Sequence, residues 1–521
     1  MSEDFNLVVN DSPIELEESG ITLIAPGLEG SGTYTPKSVG GTREFQIEKP
    51  ELQVAMTEAG LEDRHTLEIN ATLNVIPSVQ GGRSLLQDVA DDEMLLQVPG
   101  NEGEFQFVMY TDEAGVISFH YPNKIDRAKA LPSRAFGALI QNQYRIKLRS
   151  AQDQNPSEKA SRGLLGKIGS KILKVLVGKV FPEKAGKAVH WAIENWENKH
   201  RAFQGLHGGQ NFAELIADTP TAFNQWDSIQ GKKALLFVHG TSSSTAGAFV
   251  GLNDAVPGRP NIPAELYRRY ENRVLAFNHH TMSLSVAENV QKFYDAFAQH
   301  PGDYTFDVIC HSRGGLVSRG LTLLPDSFLS DKLDGWKKPA GVNIKIDRIV
   351  FVATPNDGTQ LAEPGNIAAM VERLANFVNQ FPDGLVSISG GMILSVASAI
   401  ADTGLPYVQG LADQSPNSDL VKALTDNTNF QDRYFGIEAN FVVPKNLTSA
   451  FKEPIAVGAN VLVDKLFKDK PNDLVVPTIG VSDNSHFKLA PSHIHRFDGD
   501  KVYHTNFFYQ VEMGEILKYL A

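Results

Sequence analysis

Cysteine is almost absent from this chain of 521 residues: there is one, Cys310. A lone thiol forms no intrachain disulfide, so the fold does not depend on an oxidising compartment, and zinc sites built on several cysteines are excluded. Positive charge is in deficit as well. Lys and Arg number 48 against 61 Asp and Glu, a formal net charge of −13. Global attraction to nucleic acid is therefore not expected, and no nucleic-acid partner is assigned. Long hydrophobic runs are missing too. The uncharged stretch from Leu385 to Ala401 (LVSISGGMILSVASAIA) has 17 residues with two glycines and four serines. It is short for a membrane span and reads as a buried cap helix. The stretch MSEDFNLVVNDSPIELEESG is acidic and lacks a basic segment followed by an apolar one. It does not read as a secretory leader, so a cytoplasmic setting is expected.

What is present is the composition of an ordinary globular protein, 42% hydrophobic and 21% charged, at a length that suggests two to four domains. Residues 1–150 carry short apolar or alternating runs: ITLIAP, TLEINATLNVI, EMLLQV, EFQFVMYT and GVISFHY. Gly, Pro, Asn and Asp separate them, the pattern of antiparallel strands, and a sandwich-like accessory domain is expected.

Residues 151–205 read as an amphipathic helical connector. SRGLLGKIGSKILKVLVGKVF sets Leu164, Leu165, Ile168, Ile172, Leu176 and Phe181 near helical spacing with lysines between them. Between Arg162 and Lys187 there are seven Lys or Arg and one acid, Glu183. The stripe fits a helix laid on a neighbouring domain. It also fits peripheral contact with an anionic membrane through 162–181.

From 206 to 521 the texture becomes α/β. ALLFVHG, RVLAFNH, FDVIC and RIVFVAT are nearly pure apolar runs, suited to parallel strands buried on both faces. Helical stretches such as SVAENVQKFYDAFAQH lie between them, giving a doubly wound, mostly parallel sheet. Helix-forming sequence at about 361–432 interrupts the alternation as a cap insertion.

One strand, FDVIC, runs straight into His311-Ser312-Arg313-Gly314-Gly315. A serine between small residues, on a tight turn from strand to helix, is the arrangement that exposes a nucleophile. Cys310 stands where glycine is common, and it too is small. A serine hydroxyl needs a base and donors for the developing oxyanion.

The region from about 230 onward resembles the α/β-hydrolase superfamily in its lipase-like branch. LLFVHGT, HSRGGLVSRG and VATPNDGT match three consecutive elements in order, and AFNHHTMSLSVAENV resembles the intervening stretch in a poorly characterised bacterial group. The resemblance implies a serine hydrolase acting on an ester, with a lipid or acyl substrate and no cofactor or metal. It implies backbone oxyanion donors at Thr241 and Arg313, with His239 shaping the loop. Family order places the acid and then the histidine after Ser312. Asp473, in PNDLVVPT, resembles the family's acid segment, and Asp357 is the competitor. His504 sits where the family carries its base; His486, His493 and His495 are the alternatives. Two rivals stand beside this reading. One is a non-catalytic interaction protein that keeps the fold; the other is a membrane-acting effector of bacterial conflict or defence.

Overall fold

The computed structural model describes residues 2–9, 13–36, 50–73, 89–113, 116–122, 140–148, 170–179, 188–201, 203–363, 366–380, 393–394, 396–398, 408–424, 432–442 and 470–520. Among the described residues ten strands precede residue 180, the first five being β1 (Glu3–Leu7), β2 (Ile14–Leu16), β3 (Ile21–Ile24), β4 (Leu28–Pro36) and β5 (Glu62–Leu73). After them come β6 (Glu93–Gly100), β7 (Glu104–Thr111), β8 (Ile117–His120), β9 (Ile140–Lys147) and β10 (Lys171–Lys179). They form two antiparallel sheets, a six-stranded one ordered β1-β4-β5-β10-β7-β8 and a four-stranded one ordered β2-β3-β6-β9. Leu67, Ile69, Val108, Leu173 and Val175 of the larger sheet share one core with Leu23, Met94, Leu96 and Ile146 of the smaller. Period-2 alternation turns these residues inward, and the product is a sandwich.

The basic stripe requires a correction. Lys171–Lys179 is not helical: it is a strand in the middle of the larger sheet, with β5 on one side and β7 on the other. Over nine residues KILKVLVGK satisfies strand alternation as well as helical spacing, and its β-branched valines favour the pleated form. Lys171 and Lys174 are 1% and 4% exposed. Lys171 pairs with Glu113, and Lys174 donates to Asp63 at 2.5 Å. Both lysines are turned to partners within the protein, and Ile172 and Leu176, the described members of the apolar stripe, are buried. Residues 162–169 lie outside the described residues, as do Phe181 and most of 385–401. Helix does follow, at Ala188–His200. Among the described residues no helix is long and apolar enough to cross a membrane.

The third sheet has seven strands: β11 (Gly205–Gly208), β12 (Lys233–Val238), β13 (Val274–Asn278), β14 (Gly302–His311), β15 (Val342–Val352), β16 (Tyr434–Phe441) and β17 (Ile494–Gly499). Their order is β11-β13-β12-β14-β15-β16-β17; β11 is antiparallel and the rest are parallel. The apolar runs are buried on both faces, as their composition requires. Leu236, Phe277, Val308 and Phe351 face one core, while Leu235, Phe237, Ile309 and Val350 face the other. Each such side chain contributes about 1.5–3 kcal/mol on burial. The helix Val286–Phe297 begins at a capping box, with Ser285 and Glu288 satisfying each other's amides. It packs beside Gly314–Leu323 in the first core, and Ile262–Arg269 covers the second.

The two units are joined. The helix Ile367–Gln380, inside the insertion, lies against the edge strand β8. Asn376 accepts from the Ile117 amide at 2.8 Å and donates to its carbonyl at 2.9 Å, and Glu372 accepts from the Phe119 amide at 3.1 Å. Side chains thus take the place of a further strand on an open sheet edge.

Candidate active site

Ser312 follows β14 directly and holds φ at +52°, the left-handed region that costs a non-glycine residue roughly 1–2 kcal/mol. Sheet and helix together impose this. The Ser312 amide donates to Val352 at 2.9 Å, and its carbonyl accepts from Gly315 at 3.0 Å to open the helix Gly314–Leu323. Gly314 and Gly315 allow that helix to start against the strand ends. A Cβ at Gly314 would stand 2.2 Å from the Val238 carbonyl oxygen, and one at Gly315 would stand 2.2 Å from Thr354 Cγ2. Cys310 sits fully buried below the turn, 3.4 Å from the Val350 carbonyl, and burial pushes its thiol up to about 12.

His504 reaches this turn from the loop after β17. Its Nε2 lies 3.0 Å from Ser312 Oγ and its Nδ1 lies 2.8 Å from Asp473 Oδ2. Asp473 is held by its own loop: Oδ1 accepts from the amides of Val475 at 3.0 Å and Val476 at 2.7 Å, and its carbonyl accepts from the His504 amide at 3.1 Å. All three side chains are buried, at 3%, 6% and 2% exposure for Ser312, His504 and Asp473. A hydroxyl, an imidazole and a carboxylate in this chain can move a proton from oxygen to Nε2 while the carboxylate fixes the tautomer.

Asp357 lies elsewhere. It is 40% exposed, bonded to Ser485, and 3.9 Å from His486. His493 bonds the Tyr434 carbonyl, and His495 packs on Phe497. Of the sequence candidates, the structure brings Ser312, Asp473 and His504 together and leaves these four apart.

The loop after β12 runs beside the serine: a Cβ on Gly240 would lie 2.7 Å from Ser312 Cβ. The amides of Thr241 and Arg313, on either side of this approach, have no acceptor among the described residues. His239 is buried within the loop; its Nε2 accepts from the His279 amide at 3.1 Å, and burial pushes it down to about 3.

Three residues of the site, His311, Gln414 and Arg373, escaped the sequence, as did the role of the Arg313 side chain. His311 Nε2 donates to the His504 carbonyl at 2.8 Å, and burial together with nearby His504 pushes its ring down to about 3, leaving it neutral. The Arg313 side chain is fully buried; it donates to the carbonyls of Gly410 at 3.0 Å and Leu284 at 2.7 Å. Burial lowers its affinity for the proton, and Asp413 and Glu197 oppose that. Gln414 donates to Thr241 Oγ1 at 3.0 Å. Arg373 donates to the Leu474 carbonyl at 2.5 Å, so the insertion also grips the Asp473 loop. His311 and Arg313 stood in the quoted motif, yet nothing local announced their partners.

A cleft of about 390 Å³ lies between Gly208, Glu214, Phe223 and Asn272. It opens at the start of β13, whereas Ser312 lies past the end of β14, so the cleft is at the wrong end of the sheet for this chemistry. Among the described residues no group of three His, Cys, Asp or Glu is placed to hold a metal ion.

The strand order, the single antiparallel edge and a strained serine between strand and helix define an α/β-hydrolase fold. Within that class the chain belongs to the family described as Domain of unknown function (DUF7379), whose model matches residues 207–521. Among solved structures it is similar to lipase 1 from Pelosinus fermentans, at 15% identity over 55% of this chain and 98% of that chain, with a TM-score of 0.35. It is also similar to EstA from Clostridium botulinum, at 13% identity over 56% and 88% with a TM-score of 0.34. A third is Staphylococcus hyicus lipase, at 14% identity over 55% and 92% with a TM-score of 0.30. Likeness this low says nothing of what the present chain acts on. No curated protein matches the chain.

Proposed function

We propose that the protein is a serine hydrolase of carboxylic esters, working through an acyl-enzyme on Ser312. The observation that carries this is the unbroken chain from Ser312 Oγ to His504 at 3.0 Å and on to Asp473 at 2.8 Å. In this reading Ser312 Oγ attacks the ester carbonyl carbon as His504 Nε2 takes its proton. Asp473 stabilises the imidazolium. The carbonyl oxygen, now negative, is held by the amides of Thr241 and Arg313. Collapse breaks the carbon–oxygen bond to the leaving alcohol, which receives the proton from His504. Water then attacks the acyl-enzyme by the same route in reverse, releasing the acid and free Ser312. No step needs a cofactor.

An apolar acyl group suits the surroundings. Met282, Leu411, Leu474 and Tyr503 come from the loops and insertion around the site and belong to one buried apolar cluster. Apolar surroundings of this kind exclude water and favour lipid or other acyl esters over small polar ones. The test is a panel of p-nitrophenyl esters of graded chain length, run beside phospholipids, with wild type and Ser312→Ala. Turnover that rises with chain length and vanishes in the variant supports the reading. Turnover that survives in Ser312→Ala rejects it.

A further inference from the structure

The loop that carries Thr241 is held in place from outside the family-matched region. Glu197 belongs to the helix Ala188–His200, ahead of residue 207, and is 1% exposed. Its carboxylate gathers one whole turn of backbone. Oε1 accepts from the amides of Thr281 at 2.8 Å and Met282 at 3.1 Å, and Oε2 accepts from the Ser283 amide at 2.9 Å and from the Ser283 hydroxyl. Three successive amides on one buried carboxylate fix that turn, because charge-assisted bonds of this kind are roughly twice as strong as neutral ones.

The turn passes the constraint on. The Thr281 hydroxyl donates to Glu197 Oε1 at 3.4 Å, which leaves its lone pairs for the Ser242 amide, donating at 2.8 Å. Ser242 stands at φ +58° and directly follows Thr241. The bond from Thr281 therefore holds the strained residue next to Thr241, whose amide is the oxyanion donor of the proposed reaction. On the other side Gln414 fixes the Thr241 hydroxyl.

We propose that Glu197 is a positioning residue for the oxyanion-binding amide of Thr241, acting through Thr281 and Ser242. This rests on the reading of Ser312 as the nucleophile. Its consequence is that the segment before the hydrolase sheet completes the reactive centre. An oxyanion donor counts only in the transition state, so a displaced donor lowers turnover without weakening the binding of substrate.

The test uses the full-length chain, a p-nitrophenyl ester, and a boronic acid as a tetrahedral adduct on Ser312. Thr281→Val removes the acceptor for Ser242 at nearly constant volume and leaves the three amide bonds to Glu197 in place. Glu197→Gln sets an amide NH₂ against at least one backbone N–H. Both are expected to lower kcat by ~10-fold or more, with KM changed by less than ~3-fold and boronate affinity falling in step. Thr281→Ser keeps the hydroxyl and is expected within ~3-fold of wild type. Wild-type kcat in both Thr281→Val and Glu197→Gln overturns the proposal. So does a loss of kcat with boronate affinity unchanged, which is what general loosening produces. If Glu197→Gln does not fold, Thr281→Val decides alone. A wild type without turnover rejects the hydrolase reading, and this inference falls with it.

Discussion

Replacing Asp473 by asparagine changes one atom and should stop the reaction. The carboxylate serves two customers at once: Oδ1 takes the Val475 and Val476 amides, and Oδ2 takes His504 Nδ1 at 2.8 Å. An amide has one acceptor oxygen. If that oxygen stays with the two backbone amides, the NH₂ group faces His504. The ring then accepts at Nδ1 and carries its proton on Nε2, pointing at Ser312, so it has no lone pair with which to receive the serine proton. The flipped amide would set NH₂ against the N–H groups of half-buried Val475 and buried Val476, at roughly 1–3 kcal/mol for a buried donor left unsatisfied, so the first arrangement prevails. Loss of the correct tautomer in such a unit lowers kcat by about 10⁴-fold, or roughly 5 kcal/mol of barrier. The side chain keeps its shape and its Val475 and Val476 bonds, so folding should change little. Initial rates on a p-nitrophenyl ester at neutral pH measure the effect, with Asp357→Asn as control. Asp357 is exposed and bonded to Ser485, and its variant should stay within ~3-fold of wild type. An Asp473→Asn enzyme within ~10-fold of wild type, or an Asp357→Asn enzyme that loses more, would refute the assignment.

Three further outcomes follow from the packing. Cys310→Ala should keep activity, because the thiol makes only weak hydrogen bonds, to the Val350 carbonyl and Thr354 among others, and reaches none of the three reactive side chains, whereas Cys310→Leu should destabilise by about 1–3 kcal/mol through overpacking below the turn; chemical denaturation and ester turnover read both. Lys174→Ala leaves the Asp63 carboxylate buried without its cation and should cost about 3 kcal/mol; a change in denaturation midpoint near zero would mean that the lysine faces solvent after all. Acid should destabilise the protein early. Burial pushes His120 down to about 4 and His239 and His311 down to about 3. Unfolded histidines bind protons below about pH 6.5 and these folded ones do not, so stability is full above that value and is lost as pH falls toward 4. At pH 5 each contributes a loss of about 2 kcal/mol, and a thermal midpoint that stays flat between pH 7 and 5 would contradict the burial.

Ser312 was legible because its surroundings are local. An apolar strand, a small residue, a serine and two glycines form one continuous run, and the backbone geometry they impose is a property of that run. Asp473 and His504 were legible through family order, and the structure brings both to the serine. The strand β10 was misread because KILKVLVGK is too short to separate a period of 3.6 from one of 2. What decides it is distant: Glu113 and Asp63, which neutralise its lysines, lie 58 and 111 positions away. The supporting bonds of the site share that character. Glu197 to Thr281 spans 84 positions, Gln414 to Thr241 spans 173, and His311 to His504 spans 193. No local pattern marks a side chain whose only role is to hold a distant backbone atom, so these residues emerge only when the sheet closes.

The central claim is that Ser312 is a nucleophile activated by His504. It is tested most directly by treating the full-length protein with a fluorophosphonate and measuring intact mass, then mapping the modified peptide. The account predicts one adduct per chain, located on Ser312, with labelling abolished in Ser312→Ala and slowed by at least ~10³-fold in His504→Ala. A folded wild type that takes up no adduct, or one that carries it on any other residue, would contradict it.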